Sequence, residues 1–244
     1  MIYVIIGLGL LFFGLGFILT ENNAKYLLSG YNTMSKEERK KFDLKGFIPF
    51  YKNFHIFLSI SFIGLGLAFN AINVNAAGIF LAVYPIVAYI YFIWKSNQFQ
   101  NGKSKSKNKL AIIVLAGTLV FVLGILGMGF KEDTLTVKND SLEISGTYGE
   151  KINFTDIESI SITENLPKIS MRTNGFSLGE IKKGYFKSTE GKIKLVLNSD
   201  KTPYLKITKK EGFPIFFSGK NDSAEAILNK IQTSHPSLGL ILKD

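Results

Sequence analysis

The chain has 244 residues, 46% of them apolar, and a mean hydropathy of +0.19. Four uncharged stretches long enough to cross a bilayer precede Lys131, which excludes a purely soluble protein. The net charge of +10 is concentrated in residues 1–130, and the absence of cysteine excludes disulfides, thiolate metal sites and thiol catalysis.

Met1–Thr20 is dominated by Ile, Leu, Phe, Val and Gly and predicts a first membrane helix of roughly 30 Å. A cleaved signal peptide would open on positive charge and close on a small-x-small site. Met1-Ile2-Tyr3 carries no basic side chain and Thr20–Ala24 is a poor cleavage site, so a retained helix is expected. Gly7/Gly14 and Gly9/Gly16 repeat every seven residues, either as a packing seam or as the ordinary glycine of membrane helices.

Glu21–Lys52 is basic, with Lys36, Arg39, Lys40 and Lys41 in one run. Ser35 and Glu38 have capping-box spacing and predict a short surface helix; Phe47, Phe50 and Tyr51 would return the chain to the interface. The segment Tyr31-Asn32-Thr33-Met34-Ser35-Lys36-Glu37-Glu38, placed after an apolar helix, resembles an uncharacterised bacterial family of small membrane proteins. That resemblance spans about residues 1–95 and implies no activity.

Asn53–Trp94 carries no Asp, Glu, Lys or Arg, too long a stretch for one helix and suited to two. Asn70, Asn73 and Asn75 mark the break, because amides are costly in hydrocarbon. Helices are expected near 54–72 and 77–94, with Pro85 inside the latter and Tyr89, Tyr91 and Trp94 at an interface. A second basic connector holds Lys103, Lys105, Lys107 and Lys109, and a fourth helix is expected near 110–130. Basic connectors stay cytoplasmic. With an even helix count both termini then lie outside, in a multi-pass plasma-membrane protein. Contact of the connectors with anionic lipid is a by-product, and nucleic-acid binding is not expected from runs without interleaved aromatics.

After Phe130 short apolar segments alternate with turn signals, as in mainly-β domains. Strands are expected around Leu135–Val137, Leu142–Ile144, Ile152–Ile162, Tyr185–Lys187, Ile193–Leu197, Tyr204–Thr208 and Pro214–Ser218. One helix is expected near 223–233, capped by Asp222 with Glu225 in its first turn. Ile157-x-x-Ile160-x-Ile162, Pro167, Arg172-x-x-Gly175-x-x-x-Gly179 and Gly184-Tyr185-Phe186 together resemble a bacterial pleckstrin-homology-like domain over residues 133–233. The resemblance implies a barrel plugged by a C-terminal helix, and an interaction module rather than an enzyme. Arg172, with Lys182 and Lys183, is the candidate anion site; the alternative for Arg172 is a structural clasp on the Gly175–Gly184 loop.

His55 and His235 are the only histidines and form no metal spacing, so no catalytic residue, metal or cofactor is expected. The expected architecture is a four-helix membrane bundle over residues 1–130 followed by a pleckstrin-homology-like β domain over 131–244. The β domain would act outside the cell as a non-catalytic binding, scaffold or sensory module for a protein or cell-envelope ligand. The alternatives are a small transport or immunity-type component working through its helices, and a cytoplasmic lipid-sensing β domain.

Overall fold

A computed structural model describes residues 1–32, 34–99, 104–236 and 241–242, with backbone alone at 29, 30, 38, 104–107, 241 and 242. The chain divides into two units, Met1–Leu126 and Gly127–Asp244.

The first unit is helical: α1 (Ile2–Ile18), α2 (Ala24–Leu27), α3 (Ser29–Asn32), α4 (Lys36–Lys40), α5 (Leu44–Ile72), α6 (Val74–Ser96) and α7 (Ser104–Phe130). Among the described residues three helices are long and apolar enough to cross a membrane: α5, α6 and α7. The first helix is shorter than the expected 1–20. Its 17 residues rise roughly 26 Å, because Asn23 ends it: the Asn23 amide donates to the Ile18 carbonyl at 2.7 Å while its oxygen accepts from Thr20 N–H at 2.8 Å.

The second of the long apolar helices expected, α5, starts ten residues before the expected 54. Asp43 caps it by accepting from Gly46 N–H at 2.9 Å. Its first turns, Pro49 included, bury Phe47 in an aromatic cluster with Phe42, Phe50, Phe92 and Phe99. Lys52 does not end the helix because its ammonium lies over the Phe17 ring, 4.6 Å from the centroid. The break between α5 and α6 is one residue, Asn73, whose side chain accepts from the N–H groups of Asn75 and Ala76. Tyr91 and Trp94 are exposed, as interfacial anchors would be, but Tyr89 turns inward to His55.

α1 runs antiparallel along α5. Gly9 lies against Ile63 and Ser59, Gly16 against His55 and Lys52, and Ile5 against Gly66. A side chain at Gly16 would stand 3.2 Å from both the His55 Cβ and the Lys52 carbonyl, whereas Gly7 and Gly14 face open space. The seven-residue repeat is thus a seam on one face and ordinary glycine on the other. We expect G9L and G16L to lower the thermal stability of the detergent-solubilised protein by about 1–3 kcal/mol equivalent through overpacking, while G7L and G14L leave it unchanged.

The second unit holds a three-stranded antiparallel sheet, β1 (Leu135–Val137), β2 (Ser141–Ile144) and β3 (Glu150–Asn153). Its seven-stranded sheet is built from β4 (Ile157–Thr163), β5 (Ile169–Leu178), β6 (Ile181–Ser188), β7 (Gly191–Leu197), β8 (Tyr204–Lys209), β9 (Ile215–Ser218) and β10 (Ile241–Leu242). The order is β10-β4-β8-β9-β7-β6-β5. β7–β9 and β10–β4 are parallel pairs. Among the described residues the sheet keeps two edges, β5 and β10, so the expected barrel does not close there. Between β9 and β10 lies α8 (Ala224–Ser234), and its cap is Ser223, accepting from Ala226 N–H, rather than Asp222.

Ile227, Leu228 and Ile231 of α8 and Leu142, Ile144 and Ile152 of the small sheet cover one face of the large sheet, burying Ile160, Val196, Leu205, Ile207 and Phe217. On the other face Phe186, Ile193, Leu195, Tyr204 and Phe216 form a second buried cluster, with Leu166 and Ile169 packed against it. β7 is therefore covered on both sides, which is why Ile193–Leu197 reads as a run rather than an alternation.

Candidate functional site

The segment expected to be an anion-binding loop is a β-hairpin. β5 and β6 pair antiparallel from Ile169↔Ser188 to Leu178↔Ile181. Gly175 and Gly184 are cross-strand partners at φ +144° and +123°, and each would drive a Cβ into the opposite backbone, so they serve close strand approach rather than phosphate cradling.

The hairpin separates the three candidate residues. Lys182 and Lys183 are successive strand residues and face opposite sides of the sheet. Arg172 pairs with Phe186 and Ser177 with Lys182, so Arg172 and Lys182 stand four rungs, roughly 13 Å, apart. Arg172 is exposed on the edge strand. Lys183 is buried: its ammonium lies 3.1 Å from Asp133 Oδ2, with side chains 4% and 5% exposed, and donates to the Lys131 carbonyl. It therefore sits at the C-terminus of α7, where a cation satisfies a carbonyl the helix leaves unpaired and complements the helix dipole.

The same entry segment is fixed by its backbone. Asp133 N–H donates to Asn198 Oδ1 at 2.9 Å, and the Asn198 amide donates back to Asp133 and to Ser218 carbonyls, each at 2.8 Å. Lys220 N–H donates to Glu132. Neither Asp133 nor Asn198 is among the candidate residues the sequence offers, because each lies in a polar stretch between strands or helix ends.

A second, partly buried ionic group joins the two sheets. Glu150 of β3 accepts from Lys194 of β7 and, at 2.7 Å, from Lys209 of β8. Lys194 is 3% exposed. Burial alone would raise the Glu150 pKa, but hydrogen bonds from Lys194 and Lys209 and their charges outweigh it and hold the carboxyl below its ordinary value. Beside this group opens a polar cleft of about 550 Å³ lined by Glu150, Lys151, Asp156, Lys209, Lys210 and Glu211. It offers charges of both signs and suits a polar ligand. His235 lies elsewhere, bonded to the Lys138 carbonyl at 3.0 Å and packed on Phe154. Among the described residues no three His, Asp or Glu side chains converge to hold a metal ion.

In the helical unit Lys36, Lys40, Lys41 and Lys109 are exposed. Arg39 instead clasps its own loop, donating to the carbonyls of Tyr31 at 3.1 Å and Asn32 at 2.7 Å with its guanidinium over the Tyr31 ring. Lys103 and the side chains of Lys105, Lys107 and Glu38 lie outside the described residues. Asn108 donates to Ser96 and Asn97, tying the start of α7 to the end of α6. His55 is 1% exposed. A carbonyl can only accept, so His55 Nδ1–H donates to Tyr51 O at 2.8 Å, and Nε2 is hydrogen-bonded with the Tyr89 hydroxyl at 3.2 Å.

Residues 6–100 match the model of a family described as a domain of unknown function, DUF3784. The match covers α1 to α6 and stops before α7 and the β domain, so it falls on the segment that resembles an uncharacterised membrane family. No curated protein and no solved structure matches the chain.

Proposed function

We propose that the chain is a multi-pass plasma-membrane protein that presents its β domain on the extracytoplasmic side as a non-catalytic binding module for a polar protein or cell-envelope ligand. One observation carries the sidedness: both connectors flanking the α5–α6 hairpin are basic, while the Asn73 turn between the helices is uncharged. Two crossings return the chain to the side it left, so both basic connectors share the cytoplasm. α7 then carries the β domain out. Translocating twelve basic side chains instead would oppose a potential worth about 2.3 kcal/mol per charge per 100 mV.

This outcome is the same for three or four spans; α1 decides only where the amino terminus lies. We read α1 as the fourth span, because it lies antiparallel along α5 from Ile5 to Gly16 and a bilayer thins locally around a short helix. The polar cleft beside Glu150 supports binding, and the hairpin motif with one C-terminal helix on the core supports a pleckstrin-homology-like kinship. A phosphatase reporter, active only outside the cytoplasm, fused after the β domain should be active; an inactive phosphatase with an active cytoplasmic reporter at the same point would refute the reading. The buried His55–Tyr89 link favours a second reading, a transport or immunity-type role of the helices. An H55F variant that reproduces the cellular phenotype of a deletion, alongside a β-domain truncation that does not, would establish that instead.

A further inference from the structure

The geometry points to a lipid-seated edge of the β domain: Phe176 and the end of the β5–β6 hairpin rest in the headgroup layer of the leaflet where α7 leaves the membrane. The inference rests on α7 crossing the bilayer, and not on which side the domain lies. The apolar stretch Asn108–Phe130 has 23 residues and rises roughly 34 Å, against a hydrocarbon core of about 30 Å. It exposes Leu110, Ile113, Val114, Val120, Phe121 and Met128, and the first charge after it is Lys131. Gly129 and Phe130 therefore mark the boundary between acyl chains and headgroups.

Phe176 is placed at that boundary by contact. Its ring lies so close to Gly129 that a Cβ there would collide with it, and it meets the Phe130 ring edge to face at 5.7 Å. Its cross-strand partner, Lys183, is bound to the Lys131 carbonyl and Asp133. One rung of the hairpin thus grips the helix end with an aromatic ring and an ammonium, both on the same face. Whatever depth Phe130 occupies, Phe176 shares it within a ring diameter. An aromatic ring at the interface is favourable, and Lys131, exposed, with Lys182 on the next rung, sets cations beside the phosphates. The occupant of this edge is phospholipid headgroup. Two bulges in β5, at Ser170 and Thr173, whose hydroxyls donate to the Lys187 and Tyr185 carbonyls, disfavour the other use of an edge strand, pairing with another chain.

The cysteine-free chain makes the test direct. The full-length protein is reconstituted into phosphatidylcholine–phosphatidylglycerol vesicles as single-cysteine variants S177C, T189C and M128C, each carrying an environment-sensitive fluorophore. Doxyl lipids labelled near the headgroup should quench S177C and M128C at least about twofold more than T189C, at the other end of β6, with iodide showing the reverse order. F176S should lower the lipid quenching at S177C, and F176L should keep it. Quenching of M128C with S177C no different from T189C would overturn the lipid-seated edge while leaving α7 in the membrane. Loss of lipid quenching at M128C itself would overturn both.

Discussion

Replacing Lys183 by methionine should destabilise the β domain by about 3–5 kcal/mol, the usual result of removing one partner of a buried ion pair. The Asp133 carboxylate left behind is 5% exposed and its Oδ2 accepts no hydrogen bond. Gly146, at φ +91°, lies against the same carboxylate, where a Cβ would collide with Asp133 Oδ1. The Lys131 carbonyl at the end of α7 loses its donor in the same step. Urea-dependent proteolysis of the full chain in detergent measures the loss. The double variant K183M/D133N should lose clearly less than the sum of the single variants, because neither charge then stays buried alone. Additive losses would mean that the two side chains do not stabilise each other.

The second large effect depends on pH. Glu150 has a lowered folded-state pKa, so its contribution is fully present above its unfolded value near 4.5 and is lost as pH falls through the folded value. Acid therefore strips the partner from Lys194, an ammonium that is 3% exposed. Wild-type stability should hold from neutral pH down to about 4.5 and fall below it. E150Q should be about 3 kcal/mol less stable at pH 7 and should show a much smaller acid step. The exposed Asp140, lowered by its bond from Ser141 and by Lys151, leaves a small residual slope. An E150Q profile parallel to wild type would place the acid sensitivity in other carboxylates.

The sequence made the long apolar helices and the β6–β7 hairpin legible because apolar runs and turn chemistry are local signals. The Asn cluster marked the α5–α6 break correctly because an uncapped amide cannot stay in lipid. Three features were not legible. The early start of α5 was hidden by Lys45 and Lys52, which read as the edge of an apolar stretch, although a lysine can lie over an aromatic ring and let the helix continue. β5 was missed because an edge strand with exposed side chains shows no alternation, and its glycine resembles loop punctuation. Lys183 read as part of an anion-binding loop because its partner Asp133 lies 50 positions away in the chain. Lys194 did carry a signal: a lysine inside the apolar run Ile193–Leu197 must find a buried carboxylate.

Sidedness is the claim on which the functional reading turns, and the absence of cysteine allows it to be measured at two points. T189C sits in the exposed β6–β7 turn and E37C on the exposed α4. An impermeant maleimide added to intact cells should modify T189C and spare E37C, with E37C reacting only after permeabilisation. Modification of E37C in intact cells with T189C shielded would place the β domain in the cytoplasm and contradict the account.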